Sequence, residues 1–227
     1  MLTSRLNLVG AAVLSVMMSA PAGHAQEQTT SYVVSYIEVQ PASAEAARNA
    51  LREYRVASGK EEGSVRVEVL QGIFRPQHFA VLEVWKDNKA REGHTAAAST
   101  KQLREKLSAI QTAPYDERPH VGLAVGPAGE RGAIYAVTHA DFIPPKKDDG
   151  IAATKGLSGP SAKDSGNRRY DVLQQANRAN HLTLVEVWQD MKSLEAHESA
   201  AHTKKYREET LPMSGSLYDQ RLYQPIE

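Results

Sequence analysis

Glu83-Val84-Trp85-Lys86-Asp87 returns as Glu186-Val187-Trp188-Gln189-Asp190, 103 residues further along the chain. The same offset relates Val69-Leu70-Gln71 to Val172-Leu173-Gln174. It also relates Tyr115, Asp116 and Arg118 to Tyr218, Asp219 and Arg221. From Tyr32 to Ala124, about 29 of about 93 positions match their partners without a gap. An internal repeat of this kind organises the whole reading. It divides the chain into two homologous domains, residues 31–125 and 134–227, joined by a linker at 126–133. Gly126, Pro127, Gly129 and Gly132 suit an exposed connection. Two similar domains in one chain mimic a homodimer about a pseudo-twofold axis.

Outward from the pentapeptide, each repeat reads β-α-β-β-α-β. Tyr32–Val39 is β-rich, and Ala46, Ala50, Leu51 and Tyr54 recur at helical spacing within residues 42–57. Strands are expected at 64–71, with Val65, Val67 and Val69 on one side, and at 78–85, close enough to form a hairpin. Asp87 is a natural N-cap for a single helix over 88–107. A last strand closes the unit at 121–125, with its start as early as Asp116. In the second repeat the first helix is expected over 146–157. Gly150 and Gly156 weaken it, and residues 156–166 are expected as a mobile loop. This order is the ferredoxin-like, split β-α-β arrangement, and the fold class is α+β.

Two-residue parity places Phe79, Val81, Glu83 and Trp85 on one side of their strand. In the following helix the positions identical between repeats include His94, Ala97, Ala98, Lys101, Arg104 and Glu105, which share one helical face. His94 and His197 stand at the start of that face. The repeats are not equivalent throughout: Ser99 stands opposite His202, and Tyr36 opposite His139.

The Glu-x-Trp strand end, with a His nine residues after the Trp in both copies, resembles the antibiotic biosynthesis monooxygenase family, which includes small quinol monooxygenases. The resemblance implies two ferredoxin-like repeats pairing within one chain as a dimeric α+β barrel. It implies cofactor-independent oxygenation of a small aromatic or quinol-like molecule by O2. A second family His, five residues later, is matched by His202 alone. Relatives that degrade haem carry an axial His where Arg104 and Arg207 stand here, which disfavours that activity.

By this reading His94, His197 and His202 are the catalytic bases or hydrogen-bond donors, since His titrates near neutrality. Trp85 and Trp188 offer flat pocket walls, and Glu83 and Glu186 orient substrate or a His. Each has a structural alternative: a surface His, a core Trp, and a Glu paired with Arg118 or Lys101 and their copies. No metal site is expected, because His197 and His202, five apart, fit one helical face poorly. The rival functions are a non-catalytic periplasmic protein that binds or senses a small hydrophobic ligand, and a purely structural barrel.

Composition narrows the field. With 27 basic and 27 acidic residues, the chain lacks the footprint expected for nucleic acid or an anionic membrane. With no cysteine it has no disulfide, thiolate metal site or cysteine nucleophile. Phosphate-loop, dinucleotide and serine-elbow motifs are also missing. Residues 1–25 read as a signal peptide: Arg5, an apolar stretch over residues 6–20, and Gly23-His24-Ala25 before Gln26. A periplasmic or secreted location is expected, with no stable membrane insertion after cleavage. The duplication leaves room for further homo-oligomerisation.

Overall fold

The computed structural model describes residues 30–127 and 132–227. The 1–25 signal segment and residues 128–131 of the linker lie outside the described residues. The first repeat contains β1 (Ser31–Glu38), α1 (Ala44–Ser58), β2 (Ser64–Gly72), β3 (His78–Trp85), α2 (Asn88–Thr95), α3 (Ala98–Ser108) and β4 (Asp116–Ala124). The second contains β5 (Ile134–Asp141), α4 (Lys147–Ser161), β6 (Asn167–Gln175), β7 (His181–Trp188), α5 (Met191–Glu198), α6 (Ala201–Thr210) and β8 (Asp219–Pro225).

The eight strands close into an antiparallel barrel in the order β1-β3-β2-β8-β5-β7-β6-β4. Each repeat supplies four consecutive strands. The seams are β4 against β6, with His120 opposite Gln175, and β2 against β8, with Gln71 opposite Gln224. Closure leaves neither half-sheet with an unpaired edge.

Strand parity then sorts side chains into two layers. Facing the lumen, Val34, Leu70, Ala80 and Leu82 meet Tyr135, Val137, Leu173, Val185 and Val187 of the other repeat. Beside them Arg169 bridges Glu68 at 2.7 Å and Asp171 at 3.0 Å, so this buried charge is paired across the repeats. Facing outward, Val67, Val69, Phe79 and Val81 are covered by Ala47, Leu51, Tyr54, Leu103 and Leu107 from α1 and α3. Val65, expected beside Val67, lies at a register shift in β2 and is exposed.

Two expected elements differ. The single helix over 88–107 is two helices, interrupted where Ala97 takes an extended conformation. At the break the His94 carbonyl accepts from the Ala97 N–H at 3.0 Å and from the Thr100 hydroxyl at 2.8 Å. The second repeat breaks the same way at Ala200. Of the expected loop over 156–166, residues 156–161 are the last part of α4, which runs on through Gly156 and Pro160 to Ser161, and 162–166 form the turn into β6. Tertiary packing overrides weak propensity here: Thr154, Leu157 and Ser161 are buried. Asp87 and Asp190 cap α2 and α5, accepting from the backbone of Ala90 at 2.7 Å and Ser193 at 2.8 Å. No helix among the described residues is long and apolar enough to cross a membrane.

Candidate functional site

The parity of β3 and β7 places Glu83, Trp85, Glu186 and Trp188 between sheet and helices, outside the lumen. The first repeat is closed there. Trp85 is fully buried, and its ring stacks on His94 at 4.4 Å. His94 Nε2 lies 2.7 Å from the Tyr54 hydroxyl and 3.4 Å from Glu83. Tyr54 donates a hydrogen bond to Glu83. On the other ring edge, His94 Nδ1 lies 2.8 Å from Glu61, which also accepts from Ser99 at 2.6 Å. Burial opposes a charge on His94, but its hydrogen bonds and proximity to Glu83 and Glu61 outweigh burial and raise its pKa.

The second repeat keeps the frame and changes the partners. Trp188 is again fully buried, 4.8 Å from the His197 ring, and its Nε1 donates to Glu186 at 3.2 Å. Leu157 replaces Tyr54, so Glu186 has no counterpart of that tyrosine hydroxyl. Burial pushes the Glu186 carboxyl up to about 7, against the Trp188 hydrogen bond and the charge of Arg207. His197 Nε2 stands 3.6 Å from Glu186, and its Nδ1 contacts Asp164 at 2.7 Å. Burial lowers the His197 pKa, an effect that Asp164 only partly offsets. His202 reaches the same Asp164 oxygen at 2.9 Å.

Beside this cluster opens a cavity of about 600 Å³, lined by Thr138, Phe142, Tyr206, Arg207, Leu217 and Tyr218, among others. Glu186 does not line the cavity, but Tyr206, Arg207 and Tyr218 of its wall interact electrostatically with that carboxyl. In the first repeat the corresponding space is filled. Tyr115 and Ile110 pack onto the core there, and the Arg104 guanidinium lies 3.1 Å from the Tyr115 ring centre. In the second repeat Tyr206 and Thr210 replace Leu103 and Leu107, and Tyr218 is 59% exposed.

All seven residues singled out in the sequence therefore fall in two equivalent clusters. None of the seven lines the cavity: Trp188 and Glu186 are buried in the core of the second repeat, and Trp85 lies in the first repeat. The expected pairing of Glu83 with Arg118 does not form: Arg118 faces the lumen and binds Asp116, with its closest contact at 2.5 Å. Sequence reasoning missed Tyr54, Glu61 and Asp164 as site residues, and missed the cavity, although it noted Arg207 and Tyr218 as repeated positions. Glu61 and Asp164 carried a signal, as acids at matching positions of the repeat. Part of the cavity wall departs from the duplicated pattern, as Tyr206, Thr210 and Leu217 do, while Arg207 and Tyr218 keep the residue of the first repeat.

The fold and the paired clusters define a dimeric-barrel protein of the monooxygenase type built in one chain. The antibiotic biosynthesis monooxygenase family model matches twice, over residues 30–106 and 133–209, and the chain belongs to that family. Among solved structures, a candidate monooxygenase of Fusobacterium nucleatum aligns with TM-score 0.80 and 18% identity, over 88% of this chain and 94% of that one. One from Lactobacillus acidophilus aligns with TM-score 0.74 and 15% identity, over 88% and 95%. A major regulator of staphylococcal pathogenesis shares the fold at TM-score 0.61 and 8% identity, over 87% and 100%. No curated protein matches the sequence. Family membership supports a monooxygenase-like function.

Proposed function

We propose that the protein oxygenates a small aromatic, quinol-like substrate with O2 in the cavity of the second repeat. The observation that carries this reading is a cavity of about 600 Å³ whose wall residue Arg207 acts on Glu186, a carboxyl that burial pushes up to about 7. An electron-rich phenol becomes a reductant of O2 once its proton is removed. The base must hold a proton near neutral pH, and Glu186 meets that need, with His197 beside it. Without an external reductant the substrate must supply all the electrons. An activated ring methylene can do so: both of its C–H bonds break, one oxygen atom of O2 becomes the new carbonyl oxygen, and the other leaves with the two hydrogens as water. Phe142, Tyr206 and Leu217 give such a planar molecule an apolar bed, and Arg207 is placed to hold a phenolate oxygen.

The first repeat serves as scaffold in this reading, because Tyr115 fills its cavity and Tyr54 occupies its carboxylate. Residues 1–25 support export, with the mature chain acting in the periplasm or outside the cell. The exposed apolar rim of Leu211, Leu217 and Tyr218 favours one rival, a protein that captures a hydrophobic ligand without turnover.

Oxygen uptake with a panel of reduced quinols and phenols separates the two. Uptake by the wild type that falls to the autoxidation rate in Glu186→Gln supports oxygenation. Uptake equal in the two proteins across the panel, with ligand retained, supports capture.

A further inference from the structure

Asp164, His197 and His202 come from three separate places in the second repeat: the turn after α4, the last turn of α5 and the first turn of α6. Their donor atoms nevertheless lie within 4.8 Å of one another. His197 Nδ1 and His202 Nε2 both point at one oxygen, Asp164 Oδ2, at 2.7 and 2.9 Å. The spacing argument against a metal assumed one continuous helix. The break at Ala200 removes that assumption and brings the two imidazoles together, their ring centres 5.5 Å apart.

We propose that these three side chains form a binding site for a divalent first-row transition-metal ion, with water completing its coordination. Two imidazoles and one carboxylate, with positions left open, are a donor set suited to Zn²⁺ and its neighbours. Ligand bonds of about 2.0–2.2 Å require donors a little over 3 Å apart. The Asp164 carboxylate therefore has to withdraw by roughly half an ångström, and the two imidazole nitrogens have to close from a separation of up to 4.8 Å. The carboxylate is free to withdraw, being 23% exposed in a turn, and His202 at 25% exposure gives the ion access from solvent.

The surroundings also match a metal site. Coordination through Nδ1 of His197 leaves Nε2 to carry the hydrogen, and that atom faces Glu186 at 3.6 Å. Carboxylate, imidazole and metal in that order is the arrangement that orients ligating histidines in metalloproteins. The first repeat provides an internal contrast. Glu61 and His94 repeat two of the donors at 2.8 Å, but Ser99 stands where the third ligand would be. A neutral hydroxyl is a poor substitute, so the duplication yields one site per chain.

The test measures binding directly, without substrate, so it is independent of whether the protein oxygenates anything. Untagged full-length protein is stripped with chelator and titrated with Zn²⁺ and with Co²⁺. Retained metal is counted by mass spectrometry, and the Co²⁺ form is followed by its visible absorption. The expected result is one ion per chain with an imidazole-ligated Co²⁺ spectrum, lost in both His202→Ser and Asp164→Asn. His202→Ser recreates the first repeat's own residue, and circular dichroism checks its fold. Glu186→Gln should keep the ion but bind it about 10–100-fold more weakly. No stoichiometric uptake by the wild type, or equal uptake by His202→Ser, overturns the site.

Discussion

Glu83 and Glu186 are the same residue in a duplicated sequence, yet their surroundings give them different chemistry. Tyr54 donates to Glu83 and His94 stands beside it, whereas burial dominates at Glu186 and lifts its pKa from 4.5 to about 7. A carboxyl whose pKa is raised on folding holds its proton more tightly in the native state. Its contribution to stability is full below about 4.5 and declines as pH rises to 7. Glu186→Gln should therefore gain on the order of 2–3 kcal/mol of unfolding free energy at pH 8 while losing turnover. Urea denaturation of both proteins at pH 4.5 and 8 checks the sign, since the gap should be smaller at the lower pH. In the wild type, oxygen uptake should rise as pH passes up through about 7. Tyr54→Phe makes the matching case in the first repeat. It leaves buried Glu83 and His94 short of a partner and should cost about 1–3 kcal/mol without altering oxygen uptake. The sequence named the Glu, Trp and His of both clusters because the repeat preserved them. It did not reveal Tyr54, because its partner is Leu157 and the hydroxyl arrives from a different element.

At the scale of elements, α4 shows where pattern reading succeeds and where it stops. Gly150 read as a defect that weakens a helix. In the structure a Cβ at that position would lie 2.4 Å from the Phe142 ring, so the glycine lets α4 lie close against the strand end. Gly156 has nothing within 4 Å and serves no such purpose. Propensity alone treats the two alike, at about 1 kcal/mol each relative to alanine. Packing separates them. Gly156→Ala should raise the midpoint of thermal unfolding, with a gain of about 0.5–1 kcal/mol. Gly150→Ala should lower it, because overpacking costs about 1–3 kcal/mol and exceeds the propensity gain. The broken helices teach the same lesson from the other side. Identical residues on one helical face argued for a single helix, yet of those only His94 lies in α2, and α3 buries Thr100, Leu103 and Leu107 instead. The interruption at Ala97, with the Ala97 N–H and the Thr100 hydroxyl both on the His94 carbonyl, is nothing that periodicity records.

The barrel as a whole was legible because duplication and β-α-β-β-α-β order together imply two half-sheets needing each other. What fills its interior was not, since parity assigns a side without naming a neighbour across the lumen. His120, His139 and His181 converge there from both repeats. His139 Nδ1 lies 3.2 Å from His181 Nε2, and His120 reaches Thr183 at 3.0 Å. Burial is the main cause that lowers all three, to about 4 for His120 and about 3 for His139; neighbouring His181 lowers both further. Arg118 and Arg221 flank Tyr36 at 4.9 and 5.1 Å, so any added proton meets positive charge. These histidines are neutral in the folded protein, and the unfolded chain takes up protons first, near pH 6.5. Their stabilisation is therefore complete above about 6.5 and drains away as pH falls toward 4. Because they line the contact between repeats, acid should open the barrel along its interior and leave each half's sheet–helix core for later. Unfolding free energy measured by urea should drop by a few kcal/mol between pH 7 and pH 4.5. His139→Gln, which titrates nowhere in that window, should flatten part of the slope. A variant as acid-sensitive as the wild type would place the proton uptake elsewhere, in the paired carboxylates of the lumen.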